Sequence, residues 1–514
     1  MPRKPKPKNT LTAGERVALY EAEQEKHRQQ LAGDVPKEEE GKADAEACFK
    51  PEKAVSNEKK VKPRPQHATV TVDFSIPAGE IKPMHGMCNG PVSYGADATE
   101  LFREIGVPFV RFDGTDTAIS AYAVDVSRIF RDFHADPALP ENYDFAWTDK
   151  YVEAAYRAGA RVLFRLGESY DMLCREKKAA NCEDLSILSR VCGNIVKHYN
   201  DYWAGGFALG IEYFEAWYHD PEADGDGLRR ELEVYASLAN AVKLVDDSVK
   251  IGGMCFHSLD GAAREFVRFC HKNHIPLDFL TVSCFDSDPE RVADGIGKMV
   301  TYAKNLGEDI EIIIGKWNYV SERALQGLSL KRVLEGSGEM NSACRRQMFE
   351  AQASIEGAAY DAALMLRLSA IPEVKLACFY DAQPMLSPWC ALCNRFGDPQ
   401  KPYYAFKAYG DLYRARQAVF CESNQIEGFS HTGIYAGAAL SDRGEGYVLI
   451  ASFGGCGVID LRLEGIPDSL YSADVYMLDG VKDLVCAAPI PISGMKKRLL
   501  LNISEYGVVA VRLY

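Results

Sequence analysis

The feature of this sequence that most constrains its fold is a repeated alternation between residues 68 and 418. Short apolar runs rich in Val, Ile, Phe and Leu alternate with longer segments of helical period, a pattern typical of β-α units around a parallel sheet. The apolar runs lie at 84–88, 107–112, 160–166, 211–217, 249–255, 279–283, 312–317 and 376–380. The clearest intervening helices are predicted at 149–158, 185–202, 228–245 and 292–306. Eight units predict an α/β chain with a (β/α)8 TIM barrel, and a doubly wound sheet is the alternative.

The sequence changes character near residue 416. Short alternating strands follow, separated by Gly, Pro and Asp turns, at 446–452, 458–463, 499–503 and 508–513. This pattern predicts a β-sandwich domain over 418–514, after a barrel that spans 68–417. The strand-like Thr69-Val-Thr-Val-Asp-Phe74 precedes the barrel. We expect it to pair with the sandwich and so to fasten the start of the barrel to the end of the chain.

Residues 1–67 have a composition that cannot bury a core. They hold 15 Lys and Arg and 12 Asp and Glu, but only Tyr20 and Phe49 as aromatic residues. Thr12-Ala-Gly-Glu15 has the form of a capping box ahead of a polar helical stretch. We therefore expect a charged tail that is disordered or partly helical. One hypothesis for function makes this tail the part that binds a partner and the barrel its scaffold.

The charge of the chain argues against several classes of partner. The 514 residues include 59 basic and 73 acidic side chains, a formal net charge of −14, and such a surface repels nucleic acid and anionic membranes. No stretch approaches the ~18 apolar residues of a membrane span. The basic start MPRKPKPKNT has no apolar run behind it to make a secretion signal. We expect a cytoplasmic protein without nucleic-acid or membrane partners, whose oligomeric state the sequence does not indicate.

The cysteines and acidic clusters predict neither a metal nor a cofactor. The 15 cysteines are scattered and odd in number, so we expect reduced core thiols. Cys390-Ala-Leu-Cys393 has the spacing of half a zinc or redox motif, but no second pair or nearby His completes it. A partial match to a calcium-binding EF-hand loop is interpreted as a solvated loop before a helix. Its residues are Asp220, Glu222, Asp224, Gly225 and Glu231.

Polar and aromatic residues follow the predicted strands. A TIM barrel carries its active site at the carboxyl ends of its strands. Aromatic rings with interleaved carboxylates, amides and guanidinium groups suit sugars, which offer apolar C–H faces and a rim of hydroxyls. The alternative role for any one of these residues is an ion pair of the barrel rim. The candidate substrate-binding residues are His85, Asn89, Arg111, Asp113, Arg165, Glu168, Trp217, Trp317, Asn318, Tyr380 and Asp381.

Motifs between about residues 80 and 415 carry a resemblance to a known family. They are His85-Gly…Asn89-Gly-Pro91, Val110-Arg-Phe112, Ile129-Phe-Arg-Asp-Phe-His-Ala-Asp136, Asn142-Tyr-Asp-Phe145, Phe164-Arg-Leu-Gly-Glu-Ser169, Tyr202-Trp-Ala-Gly-Gly-Phe207, Tyr213-Phe-Glu-Ala-Trp217 and Tyr380-Asp-Ala-Gln-Pro384. In this order they resemble the glycoside hydrolases of family 39, the β-xylosidase and α-L-iduronidase group. The resemblance implies a barrel with a sandwich domain and a retaining glycosidase. In that family one Glu on the fourth strand is the acid/base and another on the seventh is the nucleophile.

Both of these Glu positions are replaced in this chain. The fourth-strand Trp-Asn-Glu-Pro of the family reads Trp217-Tyr-His-Asp-Pro221 here, which places His219 in the acid/base position. One inserted residue would instead align Asp220, a possible substitute acid. The seventh-strand Glu-Trp-Asn reads Lys316-Trp-Asn318, which places Lys316 in the nucleophile position. A protonated lysine cannot attack, and it repels the positive charge that develops on the sugar ring.

Three other carboxylates are candidates to substitute for the missing ones. Glu215 shares a strand face with Trp217 and His219 but lies one layer deeper, and is interpreted as a counter-ion of Lys316. Glu168 and Asp113 follow other strands. They would hold sugar hydroxyls or, in a relocated mechanism, act as a base for water.

The sequence favours a carbohydrate-binding pseudo-glycosidase, whose pocket takes a carbohydrate or glycoconjugate. Lys316, His219, Arg111 and Arg165 together favour an acidic ligand such as a uronic acid, through charge-assisted hydrogen bonds. The alternative is an active O-glycosidase, β-xylosidase-like or uronidase-like. It would use Asp220 or Glu222 as the acid and a relocated carboxylate as base or nucleophile.

Overall fold

The structure is a computed structural model. It describes residues 67–514 apart from 94–95, 113–123, 169–183, 218, 221–222, 224, 260, 323–347, 384–388, 395, 424–432, 456, 488, 493 and 495. The expected tail, except for His67, therefore lies outside the described residues, and its proposed role as a partner-binding segment stays a prediction. Asp113 and Glu222 also lie outside them.

Eight parallel strands close into a barrel, in the order of the chain. A first strand, β1 (His67–Glu80), precedes the barrel, and a short hairpin of β3 (Val92–Ser93) and β4 (Ala96–Asp97) follows its first strand. The barrel strands are β2 (Gly86–Cys88), β5 (Phe109–Arg111), β6 (Arg161–Leu166), β7 (Tyr213–Ala216), β8 (Lys250–Phe256), β9 (Phe279–Asp286), β10 (Glu311–Tyr319) and β11 (Val374–Phe379). Each overlaps one of the eight apolar runs, so the TIM barrel is confirmed and the doubly wound sheet is wrong.

Helices pack around the barrel and connect its strands. They are α1 (Thr99–Ile105), α2 (Val126–Ile129), α3 (Ala146–Arg157), α4 (Leu185–Asn200), α5 (Gly225–Val245), α6 (Gly261–Asn273), α7 (Pro289–Asn305), α8 (Ile355–Ser369) and α9 (Lys401–Ala415), with 3₁₀ turns at Pro140–Asn142 and Trp203–Gly205. Local signals fix where some begin: the side chain of Asp288 accepts a hydrogen bond from the backbone N–H of Glu290, and Pro289 opens α7. The buried positions of α4 recur at helical spacing and form the face that packs inward.

The remaining strands form one mixed, mostly antiparallel sheet with β1. They are β12 (Gln417–Ser423), β13 (Ile434–Leu440), β14 (Gly446–Phe453), β15 (Val458–Glu464), β16 (Ser472–Leu478), β17 (Asp483–Cys486), β18 (Ile490–Pro491), β19 (Lys497–Asn502) and β20 (Tyr506–Leu513). The strand order is β17-β16-β20-β14-β13-β12-β1-β15-β19, and β18 pairs with β16. This separate C-terminal sheet domain agrees with the expected fold class.

Strand β1 joins this sheet although it precedes the barrel in the chain. It runs antiparallel to β12, with Val72 opposite Cys421, and parallel to β15, with Val70 opposite Leu461. Its buried residues alternate with more exposed ones, as expected for a strand with one face on a core. The expected pairing of residues 69–74 with the C-terminal domain is therefore confirmed.

Two further findings bear on the expected classes of function. In the part of the chain that the structure describes, no helix is long and apolar enough to cross a membrane. Within the same residues, no group of three or more His, Cys, Asp or Glu side chains is placed to hold a metal ion. Cys390 and Cys393 are both buried free thiols.

Candidate functional site

A buried ion pair occupies the interior of the barrel. Arg111 of β5 donates from Nε to Glu215 Oε2 of β7 at 2.8 Å, and both side chains are fully buried. Thr281 Oγ1 donates to the other oxygen of Glu215 at 2.6 Å. Among the described residues, the ion-pair partner of Glu215 is thus Arg111, which corrects its interpretation as a counter-ion of Lys316.

A second polar group lies at the end of β6. Arg165 donates from a terminal nitrogen to Asp125 Oδ1 at 2.6 Å and from Nε to the carbonyl of Phe112 at 3.3 Å. Glu168 accepts hydrogen bonds from the backbone N–H of Ser127 at 2.9 Å and from its hydroxyl at 2.8 Å. Burial, followed by the nearby charge of Asp125, raises the pKa of Glu168 to about 7. Glu168 is therefore the described strand-end carboxyl best suited to gain or lose a proton near neutral pH.

His219 follows β7 and is held by a carboxylate from helix α5. Its Nδ1 lies 2.8 Å from Glu231 Oε2, and the other oxygen of Glu231 accepts the backbone N–H of Asp220 at 2.9 Å. The ring packs 5.0 Å from that of Phe256, and the backbone N–H of His219 donates to the carbonyl of Met254. Glu231 thereby fixes Nδ1 as the nitrogen that faces α5.

The same contacts bear on the EF-hand match. Both carboxylate oxygens of Glu231, the residue at its last position, accept hydrogen bonds from the loop itself. Glu222 and Asp224 lie outside the described residues. The role of Glu231 in this structure is to hold the end of β7. The sequence alone did not assign that role, although the spacing of twelve residues from His219 would allow a contact from the second turn of α5.

Lys316 lies in β10 with only 6% of its surface exposed. Its ammonium nitrogen is 5.5 Å from the centre of the Tyr380 ring, a separation at which a cation is attracted to an aromatic face. The register between β10 and β9 shifts between Ile314 and Lys316. Lys316 lies opposite Ser283. This irregularity adds a residue at Gly315 and sets the directions of the side chains that follow.

Trp317 points toward the helices. Its ring stacks 5.8 Å from Phe406 of α9 and meets Phe379 edge-on at 5.3 Å, and it is fully buried. These contacts correct its expected place among the ligand-binding residues, since it packs the barrel against α9. Trp217 is also almost fully buried; its backbone turns at a positive φ of 66° just after β7, where Gly167 allows close approach.

His85 lies at the opposite end of the barrel from the expected site. It precedes β2, its Nε2 is 3.0 Å from the carbonyl of Gly106, and its ring packs against Tyr409 and Tyr413 of α9. Burial lowers the pKa of His85 to about 3, so the imidazole stays neutral. The expectation that His85 binds substrate is corrected, because His85 lies at the amino ends of the strands. In TIM barrels this face contributes to stability, and the active site lies at the opposite face.

The structure brings several other candidates together around the ends of β2, β10 and β11. Asn89 donates from its amide to Asp381 Oδ1 at 3.1 Å, and the same oxygen accepts the backbone N–H of Gln383 at 3.0 Å. The amide of Asn318 donates to the carbonyls of Tyr380 and Trp389. These bonds tie three strand ends into one network.

An aromatic cluster that sequence reasoning missed lies in the same place. The Tyr380 ring is 5.7 Å from Phe285, at the end of β9, and 6.0 Å from Trp389, which follows β11. Phe285 and Trp389 are 5.4 Å apart. Trp389 follows the eighth apolar run, and that position was the available signal for it. Phe285 was obscured because the predicted strand stopped at residue 283.

A cavity of about 290 Å³ opens beside the carboxyl ends of β8 and β9. It is lined by His257 and Ser258 after β8, by Ser283 and Asp286 of β9, and by Arg291 of α7, among others. Arg291 forms an ion pair with Asp286 through Nε at 2.9 Å to each oxygen. The volume is close to the lower limit of ligand pockets, ~300 Å³.

Comparisons with known proteins agree with this architecture. The family model described as Glycosyl hydrolases family 39 matches residues 211–313, a segment that includes His219 and ends just before Lys316. A comparison with curated proteins finds no match.

Solved structures match over most of the chain. A glucosidase from Croceicoccus marinus is 20% identical with a TM-score of 0.70 and covers 88% of this chain and 99% of its own. The family 39 enzyme from Xanthomonas axonopodis pv. citri is 12% identical, with a TM-score of 0.61 and coverage of 89% and 99%. A β-xylosidase from Caulobacter crescentus CB15 is 14% identical, with a TM-score of 0.58 and coverage of 87% and 99%. The family match over residues 211–313 and the shared barrel-and-sheet fold confirm that this chain resembles the glycosyl hydrolases of family 39.

Proposed function

We propose that this chain is a carbohydrate-binding protein built on a family 39 glycosidase barrel that has lost the double-displacement reaction. The observation that carries the proposal is Lys316. The resemblance of the seventh strand assigns it to the nucleophile position of the family. It is buried, and its ammonium group lies against the Tyr380 ring. An amine at this position supplies no carboxylate to attack the anomeric carbon.

Two buried carboxylates of the described barrel residues, Glu215 and Asp381, already accept hydrogen bonds. Glu215 binds Arg111 and Thr281 with both oxygens and is fully buried. Asp381 accepts hydrogen bonds from Asn89 and from the backbone of Gln383. Retention requires one carboxylate free to attack while the other protonates the leaving oxygen. The buried partners of Glu215 and Asp381 support a site that binds without forming a glycosyl intermediate.

The class of ligand follows from the relatives and from the charges at the site. The similar structures are named as a glucosidase and a β-xylosidase, which supports a carbohydrate or glycoconjugate. Of the four basic residues that favoured an acidic ligand, Arg111 and Arg165 are paired with Glu215 and Asp125. The proposed preference for a carboxylate-bearing sugar is therefore to be tested at Lys316 and His219.

The test combines binding with attempted repair of the two positions. We expect titration calorimetry to detect binding of glucuronate or xylobiose, and hydrolysis of aryl β-xylosides, α-uronides and β-uronides to be absent. The repair variant is His219→Glu/Lys316→Glu with Glu231→Gln, since a carboxylate at 219 would otherwise face that of Glu231. Hydrolysis by this variant would support a binding site that lacks only its catalytic groups. Turnover by the natural protein, lost on Asp220→Ala, would overturn the proposal.

A second candidate function is an active O-glycosidase with relocated catalytic groups. The observation in its favour is Glu168, whose pKa is raised to about 7 at a strand end; such a carboxyl suits general acid or base catalysis at neutral pH. Glu168→Gln would then abolish any turnover by the natural protein. Under the leading proposal, this variant has no turnover to lose.

A further inference from the structure

A second cavity lies between helix α9 and the C-terminal sheet. Its volume is about 340 Å³, within the range of small-molecule pockets. One wall is a single face of α9, because its lining residues are three or four positions apart. These residues are Tyr404, Lys407, Ala408, Asp411 and Leu412.

The opposite wall is formed by three neighbouring strands. In the sheet register, Tyr447 of β14 lies opposite Arg512 of β20, and Leu449 lies opposite Ala510. Ala510 in turn lies opposite Tyr476 of β16. Residues that pair across adjacent strands point to the same face of a sheet, so these side chains form one surface toward α9. Asp483 and Leu484 of β17 line a third side.

The lining combines aliphatic and polar residues. The aliphatic ones come from α9 and from the strands: Ala408, Leu412, Val448, Leu449, Leu484, Ala510 and Val511. The continuous core of the barrel includes Leu412 and Leu449. The cavity therefore borders this core, and Tyr404, Tyr447 and Tyr476 also line it.

The charges around the cavity already have partners. Arg512 pairs with Glu445 at 2.9 Å, and Lys407 pairs with Glu104 at 3.5 Å. Asp411 is paired with Arg414, and Asp483 with Lys401 at 2.6 Å. A charged ligand would have to disrupt one of these pairs, whereas a neutral ligand with hydroxyl groups would not.

The tyrosines supply the groups that a neutral sugar needs. Burial raises the pKa of Tyr404 and of Tyr476 above the usual value, so both phenols stay neutral and can donate. Tyr447 donates its hydroxyl to Glu445 at 2.8 Å, which fixes its ring. Tyrosine combines an apolar ring face with a hydrogen-bonding group, and a pyranose has the matching apolar face and hydroxyl rim.

The wall that carries Asp483 is fixed to the start of α9. Lys401, the first residue of α9, donates both to Asp483 Oδ1 at 2.6 Å and to the carbonyl of Lys482 at 3.1 Å. The hairpin of β16 and β17 is thus fastened to the helix. A site that is formed before its ligand arrives loses less conformational entropy on binding.

We propose that this cavity is a second binding site, for a neutral saccharide, on the outer side of the barrel. Its lining shares no residue with the barrel mouth, because it is built from α9 and the C-terminal sheet. The saccharide class rests on the proposed function, but the site itself is independent of it.

The test is titration calorimetry of the whole chain with xylobiose and cellobiose. Tyr404→Ala and Tyr476→Ala should each weaken the cavity-dependent binding at least tenfold. Tyr471→Ala is the matched control, since Tyr471 lies just before β16, is 66% exposed and is not part of the lining. Ala510→Trp should block the cavity; an unchanged thermal unfolding midpoint in each variant confirms that it folds.

Variants at the barrel mouth separate the two proposals. If Lys316→Ala removes one class of binding and the tyrosine-dependent class persists, both sites are supported. Tyrosine-dependent binding without any contribution from Lys316 would count against the proposed function alone. If Tyr404→Ala, Tyr476→Ala and Ala510→Trp reduce the binding of neither disaccharide, the cavity is not a saccharide site. That result would overturn the inference.

Discussion

The ion pair inside the barrel stabilises the fold only as long as both partners are present. Arg111 and Glu215 are fully buried, so removal of one charge leaves the other without its partner in a medium of low dielectric constant. We expect Arg111→Leu to lower the free energy of unfolding by about 3 to 5 kcal/mol. The double variant Arg111→Leu/Glu215→Leu should recover much of that loss, because no charge stays buried. Denaturant unfolding measures both, and equal losses in the single and double variants would contradict the argument.

Glu168 makes stability depend on pH in an uncommon direction. Its pKa rises from 4.5 to about 7 on folding, so between these values the folded chain keeps a proton that the unfolded chain releases. The free energy of unfolding therefore falls by roughly 3 kcal/mol at most as pH rises from about 4.5 to 7. Above pH 7 it is level. Glu168→Gln removes this dependence. In denaturant unfolding, the free energy of unfolding of the variant should rise relative to that of the natural protein from pH 5 to 8. If the two free energies change with pH in parallel, folding does not raise the pKa of Glu168.

Single residues are also where sequence reasoning was least complete. The position of Arg111, Arg165 and Glu168 at the ends of strands predicted that they bind substrate, and that role stays a prediction. The position did not predict their partners, which come from strands and loops distant in the chain. Nor did it predict the direction of Trp317, because the irregular pairing at Gly315 cannot be read from the alternation of residues.

At the scale of elements, helix α5 holds the end of strand β7 through one carboxylate. Glu231→Ala removes the acceptor for both His219 Nδ1 and the backbone N–H of Asp220. Loss of hydrogen bonds to a charged group costs about 1.5 to 3 kcal/mol, and His219 loses its fixed orientation. We expect that loss in denaturant unfolding, together with weaker binding of sugars that depend on His219.

Glu233 provides the matched control on the same helix. It is 46% exposed on its side chain and pairs with Arg229 and Arg230 only at 3.5 and 3.8 Å. Exposed pairs of this kind contribute little, so Glu233→Ala should change stability by less than about 0.5 kcal/mol. If the two variants behave alike, Glu231 does not position His219.

Elements themselves were well predicted because their signals are local. The apolar run at 160–166 became β6 (Arg161–Leu166), and the helical period at 185–202 became α4 (Leu185–Asn200). The ends differed by a few residues where a cap decides them: α7 begins at Pro289 behind the Asp288 cap, ahead of the apolar position at 292. Periodicity locates the buried face of an element, whereas its ends depend on single polar residues.

At the scale of the whole molecule, the barrel and the C-terminal sheet share a core. Tyr435, Leu449, Ala451 and Val508 of the sheet belong to the same buried cluster as the barrel and its helices. Strand β1 adds a covalent connection, since it pairs within the sheet and then leads directly into β2. Both features indicate that the two parts unfold together.

Val72 of β1 allows a direct test of this coupling. It is fully buried in the core of the sheet domain, so Val72→Asp loses the burial of its side chain, about 1.5 to 3 kcal/mol, and adds the cost of a buried polar group. Thr71→Asp is the control, because Thr71 lies on the other face of the same strand and is partly exposed.

The five tryptophans report on the other part of the molecule. They stand at positions 147, 203, 217, 317 and 389, all within the barrel segment of the chain. If the shared core couples the two parts, Val72→Asp in the sheet must lower the denaturant midpoint of tryptophan fluorescence, and Thr71→Asp must do so much less. A fluorescence midpoint that Val72→Asp leaves unchanged, with loss of strand signal at lower denaturant, would mean that the barrel is stable without the sheet. The contacts of α8 and α9 with β13, β14 and β20 would then contribute to binding surfaces more than to stability.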